Sequence, residues 1–353
     1  PMRYKNVLGE NGFRYLMDEG IHYDNAHYQH ANTETIVGHV SLATGTVPAA
    51  HGMVGNVWFD REQGRLVYNI EDADYRLLTT GADVDKETEI DPTQKAAKVD
   101  GRSPNNILTS TFSDELAVHF AGKSKIFAVS VKDRGAVSMA GHAGKAFWFS
   151  KQNGEFVTSD YYYQKYPAWV EQWNARKPAL AYAGKSWELL HPANQYLFGD
   201  ADDREYETDF PGFGRTFPHA YGEGDDKYFT TRLTLSPAGD ELTLDFASAL
   251  LENEQLGQDD IPDYLAISFS STDYVGHVFG ASSLESEDNL AHLDRTLARL
   301  FATLDEKVGL ENTLIVLSAD HGQPEVPGHL QERGIDNAFY FDVDELDKTP
   351  AIT

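Results

Sequence analysis

The sequence contains no cysteine, which excludes both disulfides and thiolate metal sites. Any metal this chain holds must be taken by imidazole and carboxylate. Basic residues are scarce: 29 Lys and Arg stand against 56 Asp and Glu, a formal net charge of −27. Such a polyanion repels nucleic acid and anionic membranes unless it focuses positive charge locally. No apolar run approaches the ~18 residues of a membrane-spanning helix. Internal repeats, low-complexity tracts and a basic-then-apolar leader at Pro1 are likewise absent. What remains is 353 residues, 41% hydrophobic, which is enough for a sizeable core and excludes disorder as a description of the whole. The chain begins without an initiator Met and stops just after a strand-like FYFDV at 339–343, so it reads as part of a longer protein.

Three short apolar runs have the length and branched content of buried strands: Lys125–Val131, Tyr264–Phe269 and Thr313–Leu317. Between and around them lie helical patterns over Pro104–Ala121, Glu241–Glu254 and Leu284–Val308. Thr33–Gly45 reads as a loop entering a short helix. Near-continuous apolar strands separated by amphipathic helices predict an α/β fold, a mostly parallel sheet with helices on both faces. Two stretches interrupt the pattern. Residues 57–100 are charged and irregular and read as a solvated insertion. Residues 150–240 are rich in Tyr, Trp, Pro and Gly and read as a cap. The aromatics near it (Trp148, Tyr161, Tyr162, Tyr163, Trp169 and Trp173) suit a small core better than substrate stacking.

In a parallel sheet, ligands bind beyond the carboxyl ends of the strands. The run Y-L-A-I-S-F leads into S-S-T-D-Y-V-G-H, which places Asp273 and His277 four residues apart, on one face if the segment is helical. The run T-L-I-V-L leads into S-A-D-H-G, with Asp320 and His321. Either couple alone is an ordinary surface pair or turn. Two couples past successive strands point to a metal site, and oxygen and nitrogen donors without sulfur suit Zn²⁺. Thr35 precedes a helix start. It is either a plain N-cap or a hydroxyl that a metal could activate as a nucleophile. His39 and His51 are either metal ligands or, the reading that their glycine-bounded turns favour, packing or turn-bonding residues. Lys132 and Arg134 are alternate residues at a strand end, either cations for a phosphoryl group or members of a surface ion pair. Asn56 is either a turn residue or an anion donor.

The string T-E-T-I-V-G-H-V-S-L-A-T-G-T-V-P-A-A-H-G-M-V-G-N-V-W-F-D-R, with S-V-K-D-R-G-A, F-S-S-T-D-Y-V-G-H-V-F-G and S-A-D-H-G, resembles the alkaline phosphatase superfamily. Within it the likeness is to the PafA-type phosphate-irrepressible alkaline phosphatases, relatives of the nucleotide pyrophosphatase/phosphodiesterases. The resemblance runs from about Arg14 to about Val326 and implies a single alkaline-phosphatase-like catalytic domain over 1–353, truncated at both ends, with cap-like insertions at about 57–100 and 150–240. It implies a two-zinc phosphate monoester hydrolase acting through phosphothreonine. Thr35 matches the nucleophile and a zinc contact. Asp320 and His321 match ligands of the zinc beside Thr35, and Asp273 and His277 match ligands of the other. Asn56, Lys132 and Arg134 match the side chains that hold phosphoryl oxygens. The family pattern also has an upstream Asp and a downstream His as ligands. The nearest residues here, Asp18, Asp24 and His329, do not sit in the matching context. The implied substrates are small phosphate esters and the implied location is periplasmic or secreted; nothing specifies an oligomeric state. The alternatives are a nucleotide pyrophosphatase/phosphodiesterase, or an inactive, metal-deficient piece of such an enzyme.

Overall fold

Side chains alternate between two faces along a strand, and in this chain the alternation separates two cores. The computed structural model describes residues 2–340. Its principal sheet holds β1 (Ile126–Ser130), β2 (Lys145–Ser150), β3 (Glu155–Val157) and β4 (Tyr264–Ser268). Their order is β3-β2-β1-β4, with β1 parallel to both of its neighbours and β3 antiparallel to β2. On one face Phe127, Val129, Phe147, Phe149 and Phe156 pack against Leu242, Phe246 and Leu250 of α4 (Pro237–Asn253) and Val275 of α5 (Ser271–Phe279). On the other, Ala128, Ala146, Trp148 and Val157 meet Ile36, Val37 and Val40 of α1 (Thr35–Thr44) and Val137 of α3 (Asp133–Ala140). This is the expected α/β sheet with helices on both faces. The long amphipathic helix α6 (Leu284–Lys307) packs beside α4 and α5, its N-cap Ser283 accepting from Ser286 N. No described helix is long and apolar enough to cross a membrane.

Several expectations change. Among the described residues Thr313–Leu317 forms no strand ladder, and Leu314 and Val316 are 90% and 80% exposed while Ile315 packs inward. An apolar run needs a paired neighbour as well as a hydrophobic face, and among the described residues β4, itself half-buried along its length, pairs only with β1. The helix expected over Pro104–Ala121 is confined to α2 (Phe112–His119), because Thr111 and Asp114 form a capping box that fixes its start. The strand at 145–150 was not anticipated, although its K-A-F-W-F-S run carries the signal. Residues 57–100 are not simply solvated: Tyr68 and Ile70 are fully buried in the second core. Trp173, Phe210, Phe213 and Phe229 of the 150–240 stretch lie in the first core. The six aromatics named above are buried in these cores or packed against them. FYFDV at 339–343 falls largely outside the described residues.

Candidate active site

The carboxyl ends of β1 and β4 lie side by side, with Ser130 in register with Ser268, and the chain leaves each strand directly into a helix. That arrangement delivers two segments to one edge of the sheet. From β4, α5 carries Asp273 in its first turn and His277 one turn later, with His277 Nε2 3.4 Å from Asp273 Oδ1. The helical i,i+4 relation expected from the sequence holds. The second couple comes to the same place from an extended run rather than from a strand: His321 Nε2 lies 3.4 Å from Asp320 Oδ2 and 3.7 Å from Asp273 Oδ1.

From β1 the route differs from expectation. Lys132 and Arg134 do not extend the strand: Lys132 is the N-cap of α3 and Arg134 lies in its first turn. They nevertheless converge on the site, and both are buried. The Lys132 ammonium contacts Asp273 Oδ2 and lies 4.3 Å from the centre of the Tyr274 ring. Arg134 Nη2 donates to Thr35 Oγ1 at 3.2 Å. Arg134 Nη1 donates to Asp91 Oδ2 at 2.7 Å and to the Tyr68 hydroxyl at 3.4 Å. Arg134 Nε is buried and meets no acceptor among the described residues.

Thr35 opens α1 as its first helical residue, and Glu34, not Thr35, occupies the cap position. The N-cap reading of Thr35 is therefore set aside. Asn56 is no free turn residue: its Oδ1 accepts from Ile36 N at 3.1 Å and its N–H donates to Glu34, so it brackets Thr35 from both sides. His51 is a packing residue, as expected, with Nε2 3.1 Å from Ser41 Oγ. His39 does more. Its Nδ1 lies 2.9 Å from Thr35 O and 3.1 Å from Asp320 Oδ2, and its Nε2 lies 3.0 Å from Ser268 Oγ, so it joins α1, the 320 loop and β4. Gly38 allows that closeness, since a Cβ there would lie 1.9 Å from the Asp320 carbonyl oxygen.

The charges are set for anion chemistry. Burial would raise the Asp273 carboxyl, but Lys132 and His277 outweigh it and hold that group well below the usual carboxylate range. Asp320, where burial is likewise opposed by His39, His321 and Lys132, falls to about 2. Both stay ionised at any working pH. Two carboxylates and two imidazoles are donors that a divalent ion of the zinc type accepts. In number they form couples rather than a cage: among the described residues no group of three or more His, Asp or Glu side chains is placed to hold a metal ion. Asp24 pairs with His22 on the surface, and His329 faces Tyr206, away from both couples.

A model of the type I phosphodiesterase / nucleotide pyrophosphatase family matches residues 3–351. This chain belongs to that family. Two of its relatives are alkaline phosphatases, PhoV of Synechococcus elongatus (38% identical over 94% of this chain) and PafA of Elizabethkingia meningoseptica (36% over 96%). The chain spans 58% and 60% of their lengths. The crystal structure of wild-type PafA superposes with a TM-score of 0.85 at 36% identity, over 94% of this chain and 62% of that one. A PafA variant substituted at one Thr, one Asn, one Lys and one Arg superposes with a TM-score of 0.84. The family relation accounts for the sheet order and the helices on both faces. Sequence reasoning did not find Asp91, Tyr68 and Tyr274. Only Asp91 carried a local signal, the Asp-Pro-Thr of a helix start, and that signal says nothing of Arg134.

Proposed function

We propose that this chain is the catalytic domain of a metal-dependent phosphate monoester hydrolase acting through a phosphothreonine at Thr35, on small phosphate esters in the periplasm or outside the cell. The carrying observation is the guanidinium of Arg134, which is buried with Nη2 on Thr35 Oγ1 and Nε unpartnered. A buried donor without an acceptor is costly, and this one lies on the edge that grips two oxygens of a phosphoryl group at once. The spacings from Thr35 to Asn56 and from Lys132 to Arg134 equal those of the four residues substituted in the PafA variant, which supports the same reading.

In the reaction, Thr35 Oγ attacks phosphorus, the bond to the ester oxygen breaks, and the alcohol leaves. Water then attacks the phosphothreonine and releases inorganic phosphate. Arg134 and Asn56 hold the non-bridging oxygens, Asn56 with the amide group that its bond to Ile36 leaves over. Lys132 keeps positive charge beside them. Asp320 with His321, and Asp273 with His277, are the side chains that would hold divalent ions, each set taking a further ligand. Such ions lower the pKa of an attacking oxygen and stabilise charge on a leaving one. A monoester dianion offers more charged oxygens than a diester, so three donor side chains favour it.

The test uses the full-length protein with added Zn²⁺ and compares an aryl phosphate with an aryl phosphodiester. Monoester preference, with phospho-enzyme trapping abolished in Thr35→Ala, supports the proposal. The family model's own description motivates a second reading, a nucleotide pyrophosphatase/phosphodiesterase. Diester preference would establish it in place of the first.

A further inference from the structure

From the geometry around Arg134 we infer that Asp91, carried by the irregular stretch 57–100, is the positioning residue that aims this guanidinium at the phosphoryl group and so sets monoester selectivity. The inference rests on the function proposed above.

Asp91 divides its carboxylate between two tasks. Its Oδ1 caps the short helix Pro92–Lys95, accepting from Thr93 N at 2.9 Å and from the Thr93 hydroxyl at 2.6 Å. That cap fixes the plane of the carboxylate. Its Oδ2 then has one direction available, and it accepts from Arg134 Nη1 at 2.7 Å. The pair is buried on both sides, at 3% and 9% side-chain exposure, so its contact is not screened by water.

The guanidinium is planar, and fixing one corner fixes the rest. With Nη1 held by Asp91 and Tyr68, Nη2 is the corner turned to Thr35 Oγ1. Tyr68 is itself pinned, donating to Asp133 Oδ1 at 2.6 Å, and Arg102 Nε donates to Asp133 Oδ2 at 2.8 Å. The stretch 57–100 thus supplies both groups that grip Nη1. Asp91 is the charged one, and the one whose loss frees the arginine to turn. It touches neither Thr35 nor either Asp–His couple among the described contacts, so its effect passes through Arg134.

Asp91→Asn separates the cap from the grip. Asparagine retains an oxygen for the Thr93 bonds but presents an NH₂ to Arg134, donor against donor. In the full-length enzyme we expect kcat/KM for an aryl phosphate to fall roughly 10–100-fold, the cost of misplacing a reacting contact by about an ångström. Binding of inorganic phosphate, read by calorimetry, should weaken, and kcat/KM for the matching methyl aryl diester should fall by less than about a third as many fold. In an Arg134→Ala background the Asn substitution should cost nothing more. Thr93→Val removes only the hydroxyl bond; the backbone N–H of residue 93 still holds Oδ1 and keeps the carboxylate plane, so Oδ2 stays on Arg134 and wild-type selectivity should persist. Equal losses on both substrates, losses that multiply in the double variant, or unchanged phosphate binding would overturn the assignment. The function proposed above fails separately, if the wild-type enzyme does not turn over the monoester.

Discussion

The guanidinium of Arg134 donates to an acid and a phenol from a distant segment and to the hydroxyl of the residue that opens α1. Geometry of this kind is why Lys would not replace it: an ammonium supplies charge but no fixed fork. Elsewhere a buried cluster runs the other way: among the described residues its acids form no ion pair with a Lys or Arg. Glu207, Glu285 and His219 are nearly or fully buried, and His219 Nε2 lies 3.4 Å from Glu285 Oε1. Burial, with Glu285 beside it, pushes the Glu207 carboxyl up to about 9. Between the ordinary carboxyl range and that value the folded chain keeps a proton that the unfolded chain has released. Stability therefore falls as pH rises, and the loss is complete only above about 9. Thermal melts from about pH 6 to about pH 10 should show the wild type losing more than Glu207→Gln, with the variant melting several degrees higher at the alkaline end. Parallel curves would remove Glu207 as the source. The Asp–His couples could be read in the sequence because both members follow an apolar run directly. Asp91 could not, because its partner lies on another element and no local pattern records that meeting.

At the scale of elements, the site depends on how closely α1 approaches the loop bearing Asp320. Gly38 is the contact point, and a methyl group there would occupy the space of a backbone oxygen. Gly38→Ala should push Thr35 and Asp320 apart and lower kcat/KM by roughly 10²-fold. The helix itself should tolerate the change, since alanine favours helix by up to ~1 kcal/mol over glycine. Wild-type turnover in that variant would mean the two segments are free to separate. The sheet was legible where length and branched apolar content agreed, as at Ile126–Ser130 and Tyr264–Ser268. Thr313–Leu317 shows the limit: hydrophobicity reports that a segment is able to be buried, while a strand also needs a ladder to join. Lys132–Arg134 shows another limit, since the strand ends two residues before the first of its cations and a helix takes over.

Across the whole molecule, charge sets behaviour in solution. A net charge of −27 means that the compact state repels itself, and screening relieves this. Raising NaCl from about 10 mM to about 150 mM should raise the melting temperature, because the screening length shortens to about 8 Å. A flat response would mean that the buried ion pairs have already compensated the excess. The same repulsion keeps copies apart, and one place on the surface works against it. Beyond β4 the backbone runs past Leu314 and Val316 with greasy side chains turned to water and, among the described residues, no ladder hydrogen bonds made. Such a margin is adhesive toward any extended peptide. Refolding yield should therefore drop as protein concentration rises, most steeply in high salt, where electrostatic protection is weakest. Leu314→Lys with Val316→Glu should restore the yield, acting as gatekeepers on a sticky border.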